Sequence, residues 1–429
     1  MNYLDLETNA RMRRDDIERD VRAARAATAP TPPNGAARAS ARSSRSGRMR
    51  SGGVATAAIM LVVLLAAALG FEAIAAVRDD HRYPPPGSMV TLIDRDLHLH
   101  CSGAGVPTVL LEAGAMASSG SWTHVQRHLS DVTRVCSYDR AGFGWSEPRT
   151  GSHTIDDVVA DLGALLHAAG EAGPYIVVGH SLGGHYARAF AQVHRPSVAG
   201  LVLVDARHPD ASTRLPDYET DIAAFASTAR LATTLSRFGV TRLLGDAGGS
   251  LAGLPATTKS ATLARSTTSR YWASVVRELQ GLDEIDARIA SVPSLDALPL
   301  IVLAAGKASA GESDATRRAW LDMQEDLASL SSGASLRVVP GADHISLLHD
   351  PEHAREVARH IGGLVQLVGT RRSSRKRQNP ASRRAPTAPL PARALRRLPR
   401  RRSLIGVPLR CRAASRSGLS GSRRPCRRA

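Results

Sequence analysis

The stretch Tyr175-Ile176-Val177-Val178-Gly179-His180-Ser181-Leu182-Gly183 runs four apolar residues into a glycine-flanked serine, and a helical pattern from Leu182 to Val193 follows directly. A continuous apolar run of this length reads as a strand buried on both faces of a parallel sheet. Turning from such a strand straight into a helix forces the central residue into strained dihedrals. It also leaves no room for Cβ atoms two positions either side, a demand that Gly179 and Gly183 meet. Ser181 is therefore expected at the sheet edge with its Oγ exposed, and the Leu182 N–H is expected to point where an oxyanion would form.

Outward from this turn, short strand-like runs alternate with helical stretches. The strand candidates are Met89 to Asp94, Leu97 to Cys101, Thr108 to Glu112, Arg134 to Tyr138, Leu201 to Val204, Leu300 to Ala304 and Leu336 to Val339. Helical patterns run from Ile155 to Ala169 and from Pro351 to Val368. The pattern predicts an α/β domain over 88–206 and 299–369, interrupted at 207–298 by a strand-free insertion expected to form a helical cap. Near the domain's end, Gly341-Ala342-Asp343-His344 follows a strand-like run. A histidine on that loop can take the serine proton and pass it to a leaving group.

Together with Asp139-Arg140-Ala141-Gly142-Phe143-Gly144-Trp145-Ser146 and Leu201-Val202-Leu203-Val204-Asp205, these features resemble the α/β-hydrolase superfamily in its variety with a helical cap. The resemblance implies a mostly parallel eight-stranded sheet, Ser181 as nucleophile, His344 as base, and neither metal nor organic cofactor. A serine at the elbow sets the chain apart from the haloalkane dehalogenase and epoxide hydrolase branches, which use aspartate. Two departures stand out. Where most members carry His-Gly, this chain has Glu112-Ala113-Gly114-Ala115-Met116, so the second oxyanion donor is expected from Ala115, with Met116 as alternate; Glu112 either organises the loop or ends the strand. The loop that most often supplies the triad acid reads Ala304-Ala305-Gly306-Lys307-Ala308-Ser309-Ala310 and lacks a carboxylate. Asp205 is expected to serve, ahead of Asp314 and Glu312.

The expected activity is hydrolysis of carboxylic esters, of small-molecule or lipid-like kind, through an acyl-enzyme on Ser181. Two alternatives stay open: a catalytically silent membrane-tethered binding protein, and acyl transfer or perhydrolysis at the same site. Tyr218, Phe225, Phe238, Tyr271 and Trp272 of the cap either line a substrate pocket or pack the cap onto the sheet.

Val54 to Phe71 is eighteen residues without a charge, and apolar character continues to Val77. At about 1.5 Å per residue such a segment matches a hydrocarbon core of roughly 30 Å, so 54–77 is expected to cross a membrane. Arginines before it place the N-terminus in the cytoplasm and the α/β domain outside. Cleavage near Ala75, releasing a secreted domain, is the alternative. The basic segment 1–53 and the tail 370–429 lack the apolar content to order themselves. Of the 56 basic residues, 20 lie from Arg371 onward with no acidic residue, so the net charge of +17 resides in the tail. That tail is read as a solvated chain, an anion binder or an out-of-frame product. It holds no aromatic residue for base stacking, which disfavours nucleic acid. Only four cysteines occur, which excludes a disulfide-framework protein; Cys101 and Cys136 fall on strands that the resemblance makes neighbours, so a bridge or two buried thiols are the options.

Overall fold

A computed structural model of the chain describes residues 49–378 apart from Ser152, Asp217 and Pro293. Most of the basic N-terminal segment and nearly all of the arginine-rich tail lie outside the described residues. The chain opens with helix α1 (Met49–Arg82), then β1 (Ser88–Thr91), β2 (Asp96–Ser102), β3 (Thr108–Glu112), α2 (Thr123–Leu129), β4 (Val135–Tyr138), α3 (Ile155–Ala168), β5 (Tyr175–His180), α4 (Gly183–Val193) and β6 (Val198–Val204). An insertion follows, with α5 (Ala211–Arg214), α6 (Tyr218–Leu235), α7 (Val240–Leu244), α8 (Ala256–Ser266), α9 (Ser269–Gln280) and α10 (Leu282–Ala290). The sheet then resumes with β7 (Leu300–Ala305), α11 (Asp314–Ser329), β8 (Ala334–Val339), α12 (Ser346–His349) and α13 (Pro351–Gln378).

The strands form one eight-stranded sheet in the order β1-β2-β4-β3-β5-β6-β7-β8. Pairs β1–β2 and β2–β4 are antiparallel and every other pair is parallel. Alternation along β5 shows why its sequence is apolar without a break. Tyr175 and Val177 join the apolar cluster on one face, with Leu162, Leu166 and Phe190 of α3 and α4; Ile176 and Val178 join the other, with Leu129, Val357 and Ile361 of α2 and α13. Both faces of the central strand are thus dry. The insertion packs by the same logic, since Phe225 and Ala229 of α6 and Val275 and Leu279 of α9 belong to the first cluster.

Several boundaries differ from the sequence reading. β1 stops at Thr91 because the Leu92 N–H turns back onto the Arg95 carbonyl at 2.8 Å. α13 continues past Gly369 to Gln378, as no glycine or proline interrupts 370–378. α1 exceeds 54–77 at both ends; its portion Gly53–Arg82 is long and apolar enough to cross a membrane, and none of its most apolar window is buried in the protein. Its last turns stay helical through Arg78-Asp79-Asp80 because the acidic side chains meet partners in the insertion. Arg242 Nε donates to Glu72 Oε2 at 2.9 Å, and Arg242 also pairs with Asp79 while Arg265 pairs with Asp80. Cys101 and Cys136 are direct partners across β2 and β4 and form a disulfide.

Candidate active site

Ser181 occupies the turn between β5 and α4 with φ of 53°, a left-handed conformation that a non-glycine residue adopts only under constraint. The constraint is visible in its neighbours. A Cβ on Gly179 would stand 2.3 Å from the Gly183 carbonyl oxygen, and one on Gly183 would stand 2.5 Å from that of Ala113. The Ser181 N–H donates to the Val204 carbonyl at 3.1 Å and its own carbonyl accepts from the Arg207 N–H at 3.0 Å, pinning the turn to the end of β6.

His344 lies on the loop after β8. Asp343 shapes that loop by accepting from the Ser346 N–H at 2.9 Å, which starts α12 immediately after the histidine. His344 Nδ1 lies 2.6 Å from Asp205 Oδ2, with both side chains buried. The other Asp205 oxygen accepts from the Ala305 N–H at 2.9 Å. Burial pushes the Asp205 carboxyl up, but the His344 hydrogen bond and charge, with the Ala305 N–H, outweigh it and hold the carboxyl below its ordinary range. The imidazole of His180 stacks on that of His344 at 4.5 Å and donates its Nε2–H to the His344 carbonyl at 3.0 Å. Burial, then the neighbouring His344, hold His180 well below the usual histidine value, so it stays neutral.

The other two carboxylates stand elsewhere. Glu312 accepts from the Ser309 N–H at 2.7 Å, closing a local turn; its carboxyl is raised by burial, and it lines the same cavity as Ser181. Asp314 is exposed at the start of α11. Of the three carboxylates named from sequence, Asp205 is the one hydrogen-bonded to His344.

The loop after β3 brings Ala115 to the cavity wall beside Ser181 and Leu182. Met116 has φ of 60°, and its N–H is engaged at 2.8 Å by Glu278 Oε2 of α9. Glu112 does organise this loop. Its carboxylate accepts from Arg140 Nη1 at 2.8 Å and from the Tyr138 hydroxyl, while Arg140 also donates to the carbonyls of Ala113 and Gly114 and, at 2.8 Å, to Glu278. Arg140 and Glu278 were missed as site residues. The only signal was Arg140's place in the Asp139 to Ser146 motif.

The cavity at Ser181 measures about 80 Å³ and is lined by Leu215, Pro216, Tyr218, Leu282 and Trp320 with Arg207, Asp221 and Glu312 as polar members. Of the cap aromatics, Tyr218 faces this cavity, Tyr271 and Trp272 line an adjoining one, and Phe225 is buried in the core. Arg207 is fixed by Asp286, which it contacts through Nε at 2.9 Å and Nη2 at 2.6 Å.

Residues 107–287 match a family described as alpha/beta hydrolase fold. An uncharacterized Schizosaccharomyces pombe protein is 29% identical over 299 residues, which make up 62% of this chain and 53% of that protein. The Mycobacterium tuberculosis lipase LipV is 37% identical over 111 residues, covering 26% of this chain and 41% of the lipase. This chain therefore spans about half the length, or less, of these curated relatives. A variant of Vigna radiata epoxide hydrolase superposes with a TM-score of 0.53 over 65% of this chain and 98% of that one, at 16% identity, a likeness of fold.

Proposed function

We propose that this chain, which has the α/β-hydrolase fold, is a hydrolase of small molecules and, more narrowly, a serine hydrolase of carboxylic esters, with Ser181 as nucleophile, His344 as base and Asp205 as the orienting acid. The observation that carries this reading is the Asp205–His344 pair lining one cavity with a strained serine. In the acylation step Ser181 Oγ bonds to the ester carbonyl carbon while its proton passes to His344 Nε2. The Leu182 and Ala115 N–H groups hold the oxyanion. Collapse of the tetrahedral adduct breaks the bond to the alcohol oxygen, which leaves with the proton from His344. Water, deprotonated by the same imidazole, then attacks the acyl-enzyme and restores Ser181.

Each role follows from position. Asp205, ionised and bonded to Nδ1, fixes the tautomer that leaves Nε2 free to accept a proton and stabilises the imidazolium. The Met116 N–H is bonded to Glu278, which favours Ala115 as the second oxyanion donor. A serine nucleophile, in contrast to the aspartate of the epoxide hydrolase branch, supports ester chemistry. We assign 88–206 and 299–369 to the hydrolase core, 207–298 to the cap and α1 to a membrane anchor with its N-terminus cytoplasmic. The Cys101–Cys136 disulfide fits a domain on the oxidising side. The test is hydrolysis of 4-nitrophenyl butyrate by the full chain: Ser181→Ala should abolish it, and an unaffected variant would refute the assignment.

A further inference from the structure

One of the places where the cap touches α1, at Phe71, has a defined depth. A Cβ on Gly239 would stand 3.1 Å from the Phe71 ring, and Arg242 holds Glu72 and Asp79 on the same side of the helix. Phe71 closes the eighteen charge-free residues counted from Val54, so about 27 Å of apolar helix lies below it, close to one hydrocarbon core. The segment from Gly239 through α7 therefore sits at the level where hydrocarbon gives way to headgroups. On this segment Leu243 and Leu244 are 78% and 60% exposed, and Leu231 of the preceding helix is 58% exposed. These are the large exposed hydrophobics of the insertion among the described residues, and Leu243 and Leu244 flank Arg242, which holds Glu72 and Asp79 of α1. Arg237, also exposed, adds a positive charge suited to lipid headgroups.

Cavities lead inward from that edge. One of about 130 Å³ is lined by Thr241, Gly245 and Gly248, the residues bracketing and following the two leucines, and by Ala115 and Met116 at its inner end. A smaller one lined by Ala115, Ser181 and His344 adjoins it, so Ala115 borders both of these and the cavity at Ser181. Leu243 and Leu244 line none of them and face outward.

We propose that Leu231, Leu243 and Leu244 seat the cap in the lipid–water interface beside the anchor, and that the substrate is a membrane-resident ester admitted to Ser181 through the cavities opening at Thr241 and Gly245. The occupant of the apolar patch is the bilayer, because Gly239 and Arg242, next to Leu243 and Leu244 in the chain, meet Phe71 and Glu72 at the end of the exposed apolar run of α1. The proposal rests on α1 as anchor and Ser181 as nucleophile, and deepens that reading by naming the substrate's phase.

The test uses the full chain reconstituted in phosphatidylcholine vesicles, assayed on 4-nitrophenyl palmitate dissolved in the bilayer and on 4-nitrophenyl acetate dissolved in water. In the double variant Leu243→Asp with Leu244→Asp, kcat/KM for the bilayer ester should fall at least about ten-fold, as removal of two leucines from an apolar phase implies. Hydrolysis of the water-soluble ester should stay within about two-fold in the same samples, because neither leucine lines the path. Equal activity of variant and wild type on the bilayer ester would overturn the proposal, as would an equal loss on both esters in folded protein. If the aspartate pair does not fold, Leu243→Ser with Leu244→Ser carries the same reading. Failure of the underlying reading looks different: Ser181→Ala retaining activity would remove the nucleophile, and wild type recovered free of vesicles would remove the anchor.

Discussion

Asp205 and His344 lie 139 positions apart in the chain, yet their side chains meet at 2.6 Å across the ends of β6 and β8. Asp205 enters this contact from a strained φ of 44° that turns its side chain off the end of β6. Asp205→Asn is expected to lower kcat roughly 10²- to 10⁴-fold with little change in KM, since it removes the charge and the tautomer control together. Asp314→Asn should turn over at the wild-type rate. Steady-state kinetics on a short ester separate the two; the opposite ranking would move the acid to α11.

The same carboxylate makes stability depend on acid. Its folded-state pKa lies below the unfolded value of about 3.9, so its contribution is fully present above that value and is lost as pH falls through the folded pKa. Urea unfolding between about pH 5 and pH 2 should show wild-type stability dropping more steeply than that of Asp205→Asn. Parallel curves would mean that the carboxylate is not stabilised by folding.

Glu278 ties the helical insertion to the loop after β3, the proposed oxyanion loop, by holding both the Met116 N–H and Arg140. Glu278→Gln leaves Arg140 with one carboxylate partner and should cost about 1–3 kcal/mol of stability. Because the loop carrying Ala115 loosens, kcat should fall by about ten-fold while KM for a short ester changes little. A raised KM at unchanged kcat would assign Glu278 to substrate binding instead.

The bridge between Cys101 and Cys136 bears on compartment. Protein isolated from membranes and denatured without reductant should take up no thiol label at these two positions, and reduction should expose both. Mass mapping of labelled peptides checks this; two reactive thiols before reduction would point to a reducing compartment.

Local features were readable from the chain, and long-range ones were not. The run from Tyr175 to Gly183 announces its own strand and turn, with the proposed nucleophile at its centre, because dry faces and steric crowding act within nine residues. Three carboxylates stood open for the acid in the sequence, and only the three-dimensional packing puts Asp205 against His344 while leaving Asp314 in solvent and Glu312 on the Ser309 N–H. The contacts of Glu278 with Met116 and of Arg242 with Glu72, 162 and 170 residues apart, leave no periodic trace because each depends on how the cap docks. α13 runs past its expected end, and α1 beyond the expected span 54–77, for a related reason: charged residues end a hydropathy pattern, but a helix continues where those charges find partners or no breaker intervenes.

The central claim is that Ser181 is an activated nucleophile. Treating the folded full chain with a fluorophosphonate and mapping the adduct by mass spectrometry tests it directly. The account predicts one covalent adduct, on Ser181, absent from Ser181→Ala and strongly slowed in His344→Ala. No adduct on folded wild-type protein, or equal labelling of Ser181→Ala, would contradict it.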